Sequence, residues 1–175
     1  HVPFDSAQFR RVLGHFPTGV TVVAAVAEGR PVGVAIGSFF SVSLEPPLVG
    51  FCVGKVSTSW AAIRDSGHFV VNVLSDNQVP LSGQFASKLD DKFEGVDWSP
   101  AVANGGPRLD GCVAHIDCAL HAIHDGGDHD IVIGRVLDLT VDEPAVTVAY
   151  FHGGGYRIGS PRTHGGFGAN LAHRL

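Results

Sequence analysis

The sequence predicts a mainly β chain with a few short helices, curled into a closed or split barrel. Glycine is abundant, 23 of 175 residues, and aperiodic, so it punctuates short Val- and Ile-rich runs instead of building a collagen-like repeat. Most of those runs are joined by tight turns, as in hairpins. About seven or eight antiparallel strands would leave two exposed edges unless the sheet curls on itself, and a barrel solves that problem.

Asp5-Ser6 reads as a helix N-cap, and Phe9, Val12, Leu13 and Phe16 follow at helical spacing until Pro17 stops the run. Residues 18–27 are β-branched or small, residues 31–40 form a second apolar run, and Glu28-Gly29-Arg30 turns between them. Glu45-Pro46-Pro47 interrupts the pattern before a third strand at 48–53. Residues 57–64 read as a short helix, with Ser57, Thr58 or Ser59 as cap and Gly67 as stop. A strand at 69–74, a helix within 75–87, a polar connection over 88–98 and a loop at 104–107 follow. Residues 111–124 and 131–141 read as antiparallel partners around Asp125-Gly126-Gly127-Asp128. Runs at 146–152 and 156–158 complete a domain taken as residues 1–160, and a Gly- and His-rich tail, 161–175, lies beyond it.

Twelve Lys and Arg against 17 Asp and Glu leave a net charge of −5, which argues against a nucleic-acid binder. The 45% hydrophobic and 17% charged content excludes an intrinsically disordered chain. No apolar run approaches the ~20 residues of a membrane helix, and no basic segment leads into an apolar one near the N-terminus. Cys52, Cys112 and Cys118 are odd in number and lack CxxC spacing, so they read as buried thiols in a reducing compartment, the cytoplasm. GxGxxG after a strand, the P-loop, the GxSxG elbow and HExxH are all missing.

Three stretches carry chemistry. Ala35, Gly37 and Ser38 are small, so their backbone admits a flat ring system. Lys55 stands just ahead of Ser57, Thr58 and Ser59 at a helix start, where N–H groups, hydroxyls and a cation suit a phosphate; an ordinary N-cap beside a solvated lysine explains the same residues. His124 to Asp130 holds three Asp and two His, but a polar hairpin turn explains it better than a metal, and no metal is expected. A histidine there suits the border of a pocket. Gln84-Phe85-Ala86 and Lys92-Phe93 form the third stretch, whose aromatics read as core before ring-stackers and whose lysine either solubilises a loop or meets a second phosphate or an adenine.

FRRVLGHFPTGVTVV at 9–23, PVGVAIGSFFSVSLEPPLVGFCV at 31–53, KVSTSW at 55–60, SGHFVVNVL at 66–74, DKFEGVDW at 91–98 and GGDHDIVIGRV at 126–136 together resemble the flavin reductase-like family, the reductase components of two-component flavin-dependent monooxygenases. The finer likeness is to actinobacterial reductases serving aromatic or steroid-ring hydroxylases. The resemblance implies a Greek-key-like, FMN-binding split barrel that forms a homodimer. It implies transfer of hydride from NADH or NADPH to FMN or FAD, and supply of reduced flavin to a partner oxygenase. Carried residue by residue, it implies flavin contacts from Ala35, Ile36, Gly37, Ser38, Phe39, Cys52, Val53, Gly54, Lys55, Ser57 and Ser59. A second flavin-contacting region would comprise Gln84, Phe85, Ala86, Lys92 and Phe93. His129 would position the nicotinamide without abstracting a proton, and Tyr156, Arg10 or Arg11 would touch the pyridine nucleotide. Gly37 departs from the pattern, standing where many relatives carry a polar residue. Two other readings fit the same motifs: a flavin-binding split barrel without reductase turnover, and a self-contained flavin-dependent oxidase.

Overall fold

The computed structural model describes residues 4–141 and the backbone of residues 151–152. Helix α1 (Ser6–Leu13) begins at Asp5, whose carboxylate accepts from the Gln8 amide at 2.7 Å. Strands β1 (Pro17–Thr18), β2 (Thr21–Ala27), β3 (Arg30–Ile36), β4 (Phe40–Leu44) and β5 (Pro47–Gly54) follow. Helix α2 (Thr58–Ser66) leads to β6 (His68–Val73), a 3-10 turn at Asp76–Gln78 and helix α3 (Val79–Ala86). Then come β7 (Trp98–Pro100), β8 (Pro107–Leu109), the long pair β9 (Ala114–Gly126) and β10 (His129–Val141), and β11 (Phe151–His152). Among the described residues no helix is long and apolar enough to cross a membrane. The rest of the run at 146–152, the run at 156–158 and the tail lie outside the described residues.

Seven strands form one antiparallel sheet in the order β3-β2-β6-β9-β10-β5-β4, while β1 pairs with β11 and β7 with β8. The two edge strands are consecutive in the chain. A flat sheet of this size would set its edges about 29 Å apart, yet the link from Ile36 to Phe40 reaches at most about 14 Å. The sheet therefore curls until its edges approach. β3 and β4 are not hydrogen-bonded to each other, so the barrel is split. The β9–β10 hairpin lies between β5 and β6 in the sheet, so α2 carries a Greek-key-like crossover.

The structure differs from the sequence reading in two main places. The apolar run over 31–40 is not one strand: β3 stops at Ile36, and Phe40 opens β4, which pairs with β5. The small β7–β8 ribbon sits where a polar connection and a loop were expected. Local expectations otherwise hold closely. Glu28 and Gly29 both take positive φ, the two-residue turn that matches strand twist. Ser57 caps α2 by accepting from Trp60 N at 3.2 Å, and Gly67 ends it at φ 75°.

The core has two parts, and β2 is buried on both faces between them. Inside the barrel, Val23 and Ala25 pack with Phe51, Phe69, Val71 and Val132, and α2 plugs the interior with Trp60 and Ile63. Phe51 meets Trp60 and Phe69 edge-on at centroid distances of 5.8 and 5.5 Å. Outside, Val22 and Ala24 pack with Leu74, Leu109 and the α3 residue Phe85. Gly33 lets Phe85 and Phe93 lie against β3, since a Cβ there would sit 2.6 Å from the Phe85 ring.

Candidate functional site

A cleft of about 620 Å³ opens at the seam of the split barrel, along the outer edge of β3 and the end of β5. Its floor is Val34, Ala35, Ile36, Gly37, Ser38, Cys52 and Val53; Leu13, Phe16 and Thr18 form one wall, and Gly54, Ser57 and His129 the other. The Ser38 hydroxyl holds the seam together. It donates to the Cys52 carbonyl at 2.9 Å and accepts from the Cys52 amide at 2.8 Å. These bonds join the chain leaving β3 to β5 where no ladder exists.

The cleft is apolar and small-sided along its floor, and polar at the mouth. β3 is hydrogen-bonded only to β2, so its outer edge presents alternate N–H and C=O groups to the cleft. At Gly37, a Cβ would lie 3.4 Å from Thr18 Oγ1, so the threonine hydroxyl occupies the neighbourhood that a side chain at 37 would enter. Ser57 places the first turn of α2, with its positive dipole end and the N–H groups that the cap does not take, at the mouth. The turn of the β9–β10 hairpin reduces to Gly127-Asp128, with Gly127 at φ 83°, and His129 follows directly opposite Gly54. His129 Nδ1 pairs with Asp128 Oδ1 at 2.7 Å, and that hydrogen bond holds the Asp128 carboxyl below its usual range.

Nine of the expected site residues come together here: Ala35, Ile36, Gly37, Ser38, Cys52, Val53, Gly54, Ser57 and His129. The others lie elsewhere. Phe39 is half-buried against the inner core, and Ser59 sits in the first turn of α2 without lining the cleft. Lys55 gives its ammonium to the Asp125 carboxylate and, at 2.7 Å, to the Gly127 carbonyl. Phe85 and Phe93 are core, edge-on at 5.0 Å. Gln84 spends its amide on the Lys92 and Glu94 carbonyls at 3.0 and 2.9 Å, at the end of α3 beside Ala86. The Lys92 ammonium donates to the Phe85 carbonyl at 3.1 Å, and burial pushes its pKa down. Tyr156 lies outside the described residues. Arg10 and Arg11 are exposed in the last turn of α1. The acidic turn uses its charges internally: Asp125 on Lys55, Asp128 on His129, and Asp130 accepting from Trp60 Nε1 at 2.9 Å.

Sequence reasoning missed Leu13, Phe16, Thr18 and Val34. Leu13 and Phe16 belong to an apolar helical stripe that reads as core-facing, yet they are 54% and 72% exposed. An apolar stripe with nothing buried beneath it was the available signal only once the helix was placed.

The model of the flavin reductase-like domain matches residues 13–160. The chain belongs to the flavin reductase-like family. It is 51% identical over 142 residues to the reductase subunit HsaB of a flavin-dependent monooxygenase from Mycobacterium tuberculosis, a match covering 81% of this chain and 75% of the relative. The crystal structure of a homologue of nitrilotriacetate monooxygenase component B from Mycobacterium thermoresistibile superposes with a TM-score of 0.82 at 49% identity, covering 89% and 87% of the two chains. The Streptomyces globisporus NADH:FAD oxidoreductase SgcE6, solved with NAD and FAD fragments, gives 0.81 at 43% identity, covering 90% and 94%. This flavin reductase-like chain is an NAD(P)H-dependent flavin reductase with a split-barrel fold.

Proposed function

We propose that the seam cleft is where this reductase brings flavin and NADH together. The observation that carries the reading is the convergence, on one cleft, of the open edge of β3, the small floor at 35–38 and the first turn of α2. These features fit a flavin. The floor admits a planar ring, the strand edge offers donors and acceptors to its heterocyclic rim, and the helix start suits its phosphate. His129, half exposed at the mouth beside Gly54, orients the nicotinamide over the ring. Hydride transfer between the two rings is chemistry that the bound cofactors supply. The chain holds the rings together and excludes water, which is catalysis by proximity. Phe85 and Phe93 act from behind, by packing against β3 at Gly33, and the Gln84 amide ties the segment carrying Phe93 to α3.

The reduced flavin serves a partner monooxygenase, the relation named for the mycobacterial relative. A second copy of the chain covers the exposed apolar face of α1, made by Phe9, Val12 and Leu13, and completes a homodimer. The three thiols and the use of NADH suit the cytoplasm.

NADH oxidation with FMN and then FAD, and no other substrate, tests the activity. Rapid flavin-dependent turnover is expected, and tight flavin binding without turnover would overturn it. His129→Ala should raise the NADH KM and leave flavin binding near normal. A collapse of flavin affinity would instead make His129 a flavin or structural residue. Light scattering on the eluting protein should give twice the 18.3 kDa chain mass.

A further inference from the structure

At the end of the β9–β10 hairpin, the β9 half and the turn have few neighbours to hold them. On the sheet's other side β6 stops at His68, opposite Ala119, so β9 from His121 onward pairs with β10 alone. His121 and residues 123–126 are exposed, so burial does not anchor this extension. On the β5 side the ladder ends at Gly54, opposite His129. β10 is thus laddered to β5 as far as His129, and the weakly held part is the outer edge, β9 from His121 to Gly126, with the turn at Gly127-Asp128; an edge with so few partners opens locally. His129, which the reading above places against the nicotinamide, is the first residue after that turn.

Residues 55–60, from the end of β5 into α2, grip the turn and the start of β10 at several points. Lys55 Nζ donates to Asp125 Oδ1 and to the Gly127 carbonyl at 2.7 Å. Lys55 N donates to the Asp128 carbonyl at 3.1 Å. Trp60 Nε1, anchored in the core by α2, donates to Asp130 Oδ2 at 2.9 Å. One lysine thus touches residues 125, 127 and 128, just before His129. Its ammonium does not line the cleft. To meet a phosphate at the start of α2 it would have to leave both oxygens.

We propose that Lys55 is a positioning residue for the nicotinamide site: seated between the Asp125 carboxylate and the Gly127 carbonyl, it fixes the hairpin turn and thereby holds His129 at the cleft mouth. This assigns Lys55 to NADH binding through His129, and not to the flavin phosphate. It rests on the reading of His129 given above. The charged groups facing the turn are consistent with it. Asp125, Asp128 and Asp130 crowd one small region, and Lys55, with Arg10 acting on Asp128 from α1, offsets them. The Asp125 carboxyl is held below its usual range by its hydrogen bond to Lys55, as expected of a formed pair.

The test is a mutant cycle on the full chain. Lys55→Met keeps the stem and removes the charge; Asp125→Asn removes the partner's charge. Each should raise the NADH KM about two- to fivefold, the upper part of the scale of an exposed ion pair. Flavin Kd, read by fluorescence quenching, should stay within about twofold. The double variant should be no worse than the poorer single one, because the two groups form one contact. Lys55→Arg, which keeps the charge and several N–H donors, should restore the KM. Amide exchange at residues 125–129 should speed up in Lys55→Met, and this readout does not depend on what His129 does. Weakened flavin binding in Lys55→Met alone would overturn the proposal and make Lys55 a phosphate ligand. So would unchanged exchange in both single variants. If exchange responds but the NADH KM of neither these variants nor His129→Ala moves, the latch stands as a structural feature and the proposed link to NADH falls with the reading of His129.

Discussion

Gly33→Ala probes the contact that sets the back of the cleft. In β3, an added methyl would lie 2.6 and 2.8 Å from two atoms of the Phe85 ring and 3.3 Å from Phe93. Carbon atoms at rest stand about 3.5–4.0 Å apart, so the overlap is about 1 Å. Neither ring has room to retreat: Phe85 is fully buried and Phe93 is 8% exposed, locked edge-on at 5.0 Å. Overpacking of this kind costs about 1–3 kcal/mol. For a chain of this size that is a fall in Tm of about 2–12 °C. If the rings hold, β3 gives way instead, and with it Val34, Ala35 and Ile36 on the cleft floor, so flavin affinity falls along with stability. Urea denaturation and flavin titration read the two effects. Phe85→Leu shrinks the ring's volume, so Gly33→Ala with Phe85→Leu should lose less than the sum of the single changes. A Gly33→Ala protein within about 0.5 kcal/mol of the parent, or a strictly additive double variant, would refute the argument.

Three further outcomes are expected. Cys52 lines the cleft and is half-buried, whereas Cys118 is buried and its pKa is pushed up to about 12 by that burial and by Asp117. A thiol reagent should therefore label Cys52 first, bound flavin should protect it, and Cys118 should react only on unfolding. Asn72, fully buried, donates to the carbonyls of Val22 and Pro107 and accepts from the Leu109 amide, stitching β8 onto the sheet; Asn72→Ala should cost about 2–4 kcal/mol by leaving those groups unpaired, as urea unfolding will show. Asp125 and Asp138 are held below the usual carboxylate range by hydrogen bonds from Lys55 and Arg108. Lowered values contribute stability that is complete above the ordinary carboxylate pKa of about 3.9 and is lost as pH falls through the depressed values. Lys55 is raised by Asp125, so its share is complete below about 10.4 and lost only above it. From these groups the urea midpoint should be level between about pH 5 and pH 9 and decline outside that window.

Local chemistry was legible residue by residue. Asp5 and Ser57 cap helices because a short oxygen-bearing side chain can reach a free amide, and Gly67 ends α2 because its φ excludes a Cβ. The turn at 28–29 follows from the chain around it. The small floor at 35–38 was visible as a run without bulk, and the motifs from 9 to 136 carried the family. Other features depended on distant partners. The break between Ile36 and Phe40 comes from the need to pass from one sheet edge to the other, which no local propensity encodes. Lys55 beside Ser57 reads as a phosphate site until Asp125, 70 positions away, takes the ammonium. Phe85 and Phe93 read as core from their residue type and as flavin contacts from the resemblance, and the packing of both rings against Gly33 puts them in the core. The sequence by itself determined where helices and turns begin and end and the run of small side chains at 35–38, because those depend on backbone chemistry within a few residues, and the order of its motifs along the chain carried the flavin reductase-like family. Tertiary structure alone decided which of the candidate residues face the cleft, because facing is a property of the curl that brings β3, β5, α2 and the β9–β10 turn to one seam.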